Sequence, residues 1–157
     1  MIKVISSEKT ITSGGDTYKI FTKETPIGKI QRVLQNNWYH ECWIKSSKDY
    51  KVMQWIIEHT EVLPDYDRFY IKQEEVGEYG ITCVCQADHP RSPLMLINVD
   101  WSGTEQFCLD MELEVPELFE LYEATQKLFL KEIMATRVAF AAIKSAYEHR
   151  VVKLSEI

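Results

Sequence analysis

The C-terminal part of the chain constrains the fold most, because residues 116–150 contain one proline, at their start, and no glycine. Pro116 suits the first turn of a helix, where its missing N–H has no partner, and Glu117 and Glu120 complement the positive helix start. We therefore predict one long helix from Pro116 to Arg150. Two rows of side chains recur along it at helical spacing: Tyr122, Phe129, Ile133, Thr136, Phe140, Ile143 and Tyr147, and beside them Phe119, Leu130, Met134, Val138, Ala141 and Ala142.

A helix of this length spans about 50 Å. A compact domain of this chain length has a diameter on the order of 40 Å, so the helix is long for one small body. We expect its surplus apolar surface to pack against a second copy in a homodimer, since two-fold dimers are the commonest oligomers. A kinked helix in a monomer is the alternative. The expected dimer contacts are Phe129, Ile133, Met134, Phe140 and Ile143.

The first 60 residues predict a mixture of strands and helices. Glycines in Gly14-Gly15-Asp16 indicate the turn of a β-hairpin between residues 10–13 and 17–22. A helix is predicted to start at Thr25-Pro26, with Ile27, Ile30, Val33 and Leu34 on its apolar face, and to close at Asn36-Asn37. Alternation predicts a half-buried strand over residues 38–45, and spacings of three and four predict a helix over residues 47–60.

After Pro64 the apolar pattern has a period of two, which is typical of strands. In the last of these segments Phe107, Leu109, Met111 and Leu113 are expected to point inward, and Cys108, Asp110 and Glu112 outward. We therefore predict an α+β fold: an antiparallel β-meander with two short helices and one long C-terminal helix packed on the sheet, all in a single domain of residues 1–157. The predicted strands of the meander are Asp67–Glu74, Glu78–Gln86, Leu94–Trp101 and Glu105–Leu113.

Charge is distributed unevenly along the chain. Residues 1–51 carry nine Lys or Arg against five Asp or Glu, whereas residues 92–126 carry eight acids and no basic residue. Nucleic-acid affinity depends mainly on Lys and Arg neutralising phosphates, so no nucleic-acid partner is expected for this segment. Ordinary surfaces intersperse both signs, which makes the segment unusual.

The composition also bounds the location. The first residues lack the basic and apolar regions of a signal peptide. The most apolar run, residues 128–143, is shorter than the roughly 20 residues that span a bilayer, and it contains Lys131, Glu132 and Arg137. We expect a cytoplasmic protein without a membrane partner, whose four cysteines are reduced and packed in the core.

Motifs for catalysis are absent from the sequence: there is no phosphate-binding glycine loop, no G-x-S-x-G turn and no H-E-x-x-H pair. Cys83 and Cys85, with Cys108, could begin a zinc site, and His40 with Cys42 could form a nucleophile. Both pairs have apolar neighbours and lack further ligands or a base, so core packing is the favoured interpretation. We predict no enzyme, no catalytic residue, no cofactor and no metal.

A cluster of carboxylates in the acidic segment could hold Mg²⁺, namely Asp100, Asp110, Glu112 and Glu114. Nuclease sites add a cation near the phosphate, however, and this segment has none. A solvated strand face is the simplest alternative. The sequence favours a small acidic protein that binds and inhibits a basic-surfaced macromolecule, as inhibitor, immunity or antagonist proteins do. Tyr39, Trp43 and Trp101 are expected to be exposed aromatic anchors. The predicted partner-binding residues are Asp100, Asp110, Glu112, Glu114, Glu117, Glu120, Glu123 and Trp101.

The alternative function is a ligand-binding module or an enzyme. Its pocket would lie between the sheet and the long helix, lined by Trp38, Tyr79 and Phe140. Antiparallel sheets covered by a helix do host small ligands, so the fold alone does not decide between the two hypotheses.

Overall fold

The computed structural model describes residues 4–61, 66–79 and 92–156. Four strands and five α-helices lie within these ranges. The strands are β1 (Ile5–Ser13), β2 (Asp16–Thr25), β3 (Gly28–Gln35) and β4 (Trp38–Glu41). The helices are α1 (Ser47–Glu58), α2 (Tyr66–Val76), α3 (Pro93–Met95), α4 (Thr104–Glu112) and α5 (Pro116–Glu148). A π-helical stretch, Leu96–Ser102, continues α3, and single 3₁₀ turns occur at Gly77–Tyr79 and Leu154–Glu156.

The chain divides into two compact units. The first comprises Met1–Thr60 and Arg91–Gln126, and the second comprises Glu61–Pro90 and Lys127–Ile157. The four strands, α1, α3, α4 and the first turns of α5 therefore belong to the first unit. The second unit contains α2 and the remainder of α5.

The four strands form an antiparallel meander in the order β1-β2-β3-β4. Gly14 and Gly15 connect β1 to β2 at φ angles of +62° and +91°, which glycine adopts without steric cost. Asn36 and Asn37 turn the chain between β3 and β4, also with positive φ. The turn is fixed because the backbone N–H of Thr17 donates to Asn36 Oδ1 at 2.9 Å and the Asn36 N–H donates to the Thr17 carbonyl at 2.8 Å.

The core of the first unit lies between the sheet and its helices. α1 approaches β3 so closely that a Cβ at Gly28 would lie 2.8 Å from Val52 Cγ2, which requires glycine there. Leu118 and Leu121 anchor the start of α5 in the same cluster as Ile30 of β3. The buried apolar cluster consists of Ile30, Trp43, Ile44, Tyr50, Val52, Met53, Ile56, Ile97, Phe107, Leu118 and Leu121.

Several sequence predictions are confirmed. The α+β class, the antiparallel meander and the long C-terminal helix are present, and α5 starts at Pro116 as expected. The hairpin around Gly14-Gly15 and the helix after Ser46 also match. In α1 the buried positions Tyr50, Met53 and Ile56 show the three-residue spacing of one helix face.

The predicted helix after Thr25-Pro26 is wrong, because this segment forms strand β3. Pro26 and Ile27 make the turn of a second hairpin, in which Thr25 pairs with Gly28 and Tyr18 with Gln35. The apolar spacing fitted one helix face, but the pairing with β2 overrode this local pattern, and β-branched residues favour strands.

The predicted meander over residues 67–113 is also wrong, because the strands of the sheet come from residues 5–41 instead. Residues 66–76 form α2, residues 93–102 are helical, and residues 104–112 form α4. These segments are rich in Glu, Gln, Lys, Leu and Met, which favour helices, and that preference outweighed the period-two pattern. Most of the predicted strand Glu78–Gln86 lies outside the described residues.

The predicted strand over residues 38–45 stops earlier, at Glu41. Trp43 and Ile44 are both buried, although alternation placed them on opposite faces. The Ile44 N–H donates to the carbonyl of Trp101 at 2.8 Å, so the chain leaves the sheet to join the π-helical stretch. Consecutive residues can therefore both enter the core.

Candidate protein-docking surface

A three-residue connection sets the geometry of the acidic segment by joining α4 to α5. Glu114 has a φ of +50°, which turns the chain out of α4. The Val115 N–H donates to the carbonyl of Asp110 at 2.9 Å and closes the end of α4. Pro116 then starts α5, where a proline loses no hydrogen bond.

Glutamates of this segment are mostly exposed. Glu117 is the exception, because it is partly buried and lies 3.4 Å from the ammonium of Lys51. A hydrogen bond from its own backbone N–H, and then one from Lys51, lowers the pKa of Glu117. The other five form no ion pair with any residue in the described part of the chain. These exposed acids are Glu105, Glu112, Glu114, Glu120 and Glu123.

Large apolar side chains are exposed beside these acids. In α4, Leu109 lies on the helix face of Glu105 and Glu112, and in α5 Phe119 lies on the face of Glu123. Leu113, in the connection, is 72% exposed. We define the α4–α5 surface as the exposed residues Glu105, Leu109, Glu112, Leu113, Glu114, Phe119, Glu120 and Glu123. The expectation that Leu109, Met111 and Leu113 point inward is wrong.

Asp110, expected on the outer face, is buried at 8% exposure. Tyr50 Oη donates to Asp110 Oδ2 at 2.7 Å, and Gln106 Nε2 donates to Asp110 Oδ1 at 2.9 Å. Burial, and then the hydrogen bond with Asp110, raises the pKa of Tyr50. The Asp110 carboxylate therefore holds α1 and α4 together inside the unit rather than facing a partner.

Asp100 is likewise buried, at 5% exposure, and accepts a hydrogen bond from Tyr39 Oη at 3.0 Å. Among the aromatic residues expected to be anchors, Tyr39 is exposed and Trp101 is partly exposed. Trp43 is 7% exposed and belongs to the core, so its predicted exposure is wrong. Of the predicted partner-binding residues, Glu112, Glu114, Glu120 and Glu123 lie on the α4–α5 surface.

The residues predicted to form a dimer lie along α5 in the second unit. Ile133 and Met134 are about half exposed, Phe140 is exposed to a smaller extent, and Phe129 is partly buried. The side chain of Ile143 lies outside the described part of the chain. For the alternative pocket, Trp38 and Tyr79 are among the most exposed side chains of the described residues.

Sequence reasoning missed a cationic cluster on β2 and β3. Phe21 pairs directly with Arg32, and Lys23 pairs with Ile30, so all four residues share one face of the sheet. Lys23 Nζ lies 5.1 Å, and Arg32 Cζ 5.3 Å, from the ring centre of Trp43. The signal in the sequence would have been Lys23 two positions after Phe21 on one strand and Arg32 on the neighbouring strand. This signal can be recognised only if β3 is predicted as a strand.

Potential reactive groups are few in the described part of the chain. No three His, Cys, Asp or Glu residues there are grouped so that they could hold a metal ion. The His40 ring contacts the ring of Tyr18 edge-on at 5.9 Å between centres, and burial raises the pKa of the Cys42 thiol. Cys108 is exposed, so the expectation that it packs in the core is wrong, whereas Cys83 and Cys85 lie outside the described residues.

No protein-family model, curated protein or solved structure matches this chain. Among the described residues, no helix is both long and apolar enough to cross a membrane. A function for this chain is therefore inferred from the geometry of its side chains.

Proposed function

We propose that this protein is a non-catalytic binding protein that docks its α4–α5 surface on a partner with a basic surface and blocks it. The partner would be a nuclease or another nucleic-acid-handling protein, whose working surface is rich in Lys and Arg. The proposal rests on one observation: glutamates that form no ion pair with any described residue alternate with exposed Leu and Phe on two successive helices.

The two residue classes would contribute differently to docking. Exposed apolar side chains such as Leu113 and Phe119 provide affinity when they enter pockets of a partner and lose water. The surrounding glutamates would mainly steer the encounter and reject acidic proteins. Since residues 92–126 contain no Lys or Arg, this segment supplies no positive charge of its own to weaken the attraction.

Rigid support of the surface also favours docking. Leu118 and Leu121 are fully buried on the opposite side of the first α5 turns, and Phe107 is buried beneath α4. A surface fixed by core residues loses little conformational entropy when it binds. The buried Asp110 contributes to this support through its hydrogen bonds with Tyr50 and Gln106.

The experiment is affinity capture from the native cell extract at low salt, followed by purification of the captured protein and measurement of its affinity and activity. We expect the triple variant Glu112→Lys, Glu120→Lys, Glu123→Lys to lose the partner and to leave its activity uninhibited. A control variant with the same charge change elsewhere is Glu8→Lys, Glu74→Lys, Glu78→Lys, at three exposed positions outside the surface. Equal binding and inhibition by both variants would contradict the proposal.

We also propose that the protein is a homodimer in which an exposed apolar row of α5 that contains the predicted dimer contacts Ile133 and Met134 is covered by a second copy. Contiguous exposed apolar surface of this kind is typical of interfaces. Sedimentation equilibrium is expected to give twice the chain mass of 18.4 kDa, and Ile133→Glu is expected to give the monomer. Lys131→Glu, at an exposed position outside the row, is the control; a monomeric wild type at micromolar concentration would contradict the dimer.

A further inference from the structure

The cationic cluster of Lys23 and Arg32 is not used by the proposed docking function. It lies on the sheet, in a different element from the α4–α5 surface, and its charge has the opposite sign. Three aromatic rings surround the Arg32 guanidinium, whose Cζ is 4.8 Å from the ring centre of Phe21, 5.3 Å from that of Trp43 and 5.9 Å from that of Tyr39.

Among the described residues, the two cations are neighbours without an acidic partner. Both lie about 5 Å from the same Trp43 ring. Neither forms an ion pair with a carboxylate of the described residues within 4.0 Å, and Asp100, the buried acid of this region, accepts from Tyr39. Burial, and then the repulsion of Arg32, lowers the pKa of Lys23. Two adjacent like charges in partly buried surroundings repel each other unless an anion compensates them.

Hydrogen-bond donors of Arg32 remain available. An aromatic ring contacts the flat face of a guanidinium, so the N–H groups in the guanidinium plane can still donate to an oxyanion. Nε is buried without an acceptor among the described residues. The two terminal nitrogens are not among the buried unsatisfied atoms of that part of the chain, and none of its residues accepts from them, so they reach solvent.

We propose that Lys23 and Arg32 together bind a phosphate group. A phosphate carries a charge between about −1.5 and −2 at neutral pH and three acceptor oxygens, which matches two cations with several donors. A single carboxylate would compensate only one of them. Tyr39 is exposed at the edge of the cluster, so the phosphate is either free or part of a nucleotide whose base contacts Tyr39.

The test is calorimetric titration of the full chain with inorganic phosphate and, separately, with a nucleoside monophosphate, at constant ionic strength in chloride. We expect saturable binding of at least one probe, weakened about tenfold or more by Lys23→Met and by Arg32→Met, since each removes a charge-assisted hydrogen bond. Lys48→Met, at an exposed position of α1, is the matched control and is expected to bind as the wild type does.

If the nucleotide binds more tightly than phosphate, and Tyr39→Ala reduces its affinity to that of phosphate, the site is assigned to nucleotides. If the two probes bind equally, the site is assigned to free phosphate. Circular dichroism of each variant establishes that it is folded, and Arg32→Lys, which keeps the charge, is expected to retain part of the affinity if Arg32→Met unfolds. The proposal is overturned if neither probe binds the wild type at millimolar concentration, or if Lys23→Met and Lys48→Met bind alike.

Discussion

The first unit holds two charged regions that differ in how their charges are supported. Lys23 and Arg32 are partly buried against aromatic rings of the core, whereas Glu112, Glu120 and Glu123 extend into solvent beside exposed apolar side chains. When charged side chains pack against the core, a substitution that changes their ligand binding also changes the stability of the fold. Charge held on a rigid helix face is free to attract a partner without affecting the fold. Substitutions in the two regions should therefore have different consequences.

The largest expected effect is on the ring that both cations contact. Trp43→Ala removes a large side chain that is 7% exposed, which is expected to cost about 3–5 kcal/mol in the free energy of unfolding. Trp38→Ala is the matched control, because Trp38 is 79% exposed and surface substitutions usually change stability by less than about 0.5 kcal/mol. Urea denaturation of both variants distinguishes them. Similar midpoints would contradict the burial of the cluster in the core.

A smaller loss of stability is expected for the buried hydrogen bond between Tyr50 and Asp110, which lies beneath the α4–α5 surface. Tyr50→Phe leaves the buried Asp110 carboxylate without its 2.7 Å donor and is expected to destabilise the fold by about 1–3 kcal/mol. Tyr147→Phe, at an exposed position, should be neutral.

Alkaline pH provides a second check on the same hydrogen bond. Burial and Asp110 raise the folded-state pKa of Tyr50 above the ordinary value of 10.0, so the unfolded chain releases this proton first as pH increases. The contribution of Tyr50 to stability is therefore complete below pH 10.0 and is lost as pH rises further. The wild type should lose more stability than Tyr50→Phe between neutral and strongly alkaline pH in urea titrations. Parallel losses would place Tyr50 outside this network.

On the docking surface, an apolar truncation should affect binding rather than folding. Phe119→Ala is expected to weaken partner binding about tenfold through faster dissociation, because interface anchors lose at least about 1 kcal/mol when truncated. Its unfolding midpoint should stay close to that of the wild type, since Phe119 is exposed. Surface plasmon resonance with the captured partner measures the first quantity. An unchanged dissociation rate would remove Phe119 from the interface.

The smallest effect is expected at the ion pair between Lys51 and Glu117. Lys51 is exposed, and ion pairs at the protein surface contribute little to stability, so Lys51→Ala should leave the unfolding midpoint nearly unchanged. The Glu117 pKa should rise, because one of the hydrogen bonds that lower it is removed. Carboxylate NMR titration follows this change. A pKa that does not move would indicate that the pair does not form in solution.

The sequence predicted the parts of the fold that depend on local chemistry. Gly14-Gly15 marked a turn because its φ angles require glycine, and Pro116 with the following acids marked a helix start. β3 was misassigned because Ile30 and Val33 fit a helix spacing when the pairing with β2 is unknown. In α4, Phe107 and Leu109 alternate as in a strand, and only tertiary packing buries one and exposes the other.

The two charged regions were likewise predictable only as far as they depend on the local sequence. The absence of Lys and Arg from residues 92–126 identified the acidic segment, because the composition of a segment does not depend on whether its secondary structure is predicted correctly. It did not separate the buried Asp100 and Asp110 from the exposed glutamates, since that depends on which helix face packs inward. The position of Lys23 and Arg32 on the same face of two neighbouring strands required the register of the sheet.

The most direct test of the docking proposal is the rate of association with the purified partner as a function of salt. Electrostatic steering raises association rates from about 10⁵–10⁶ M⁻¹s⁻¹ toward 10⁸ M⁻¹s⁻¹ at low salt. Stopped-flow measurements should give at least about tenfold slower association, and a flatter salt dependence, for Glu112→Lys, Glu120→Lys, Glu123→Lys than for the wild type or for Glu8→Lys, Glu74→Lys, Glu78→Lys. Association rates and salt dependence that are the same for both triple variants would contradict docking by the α4–α5 surface.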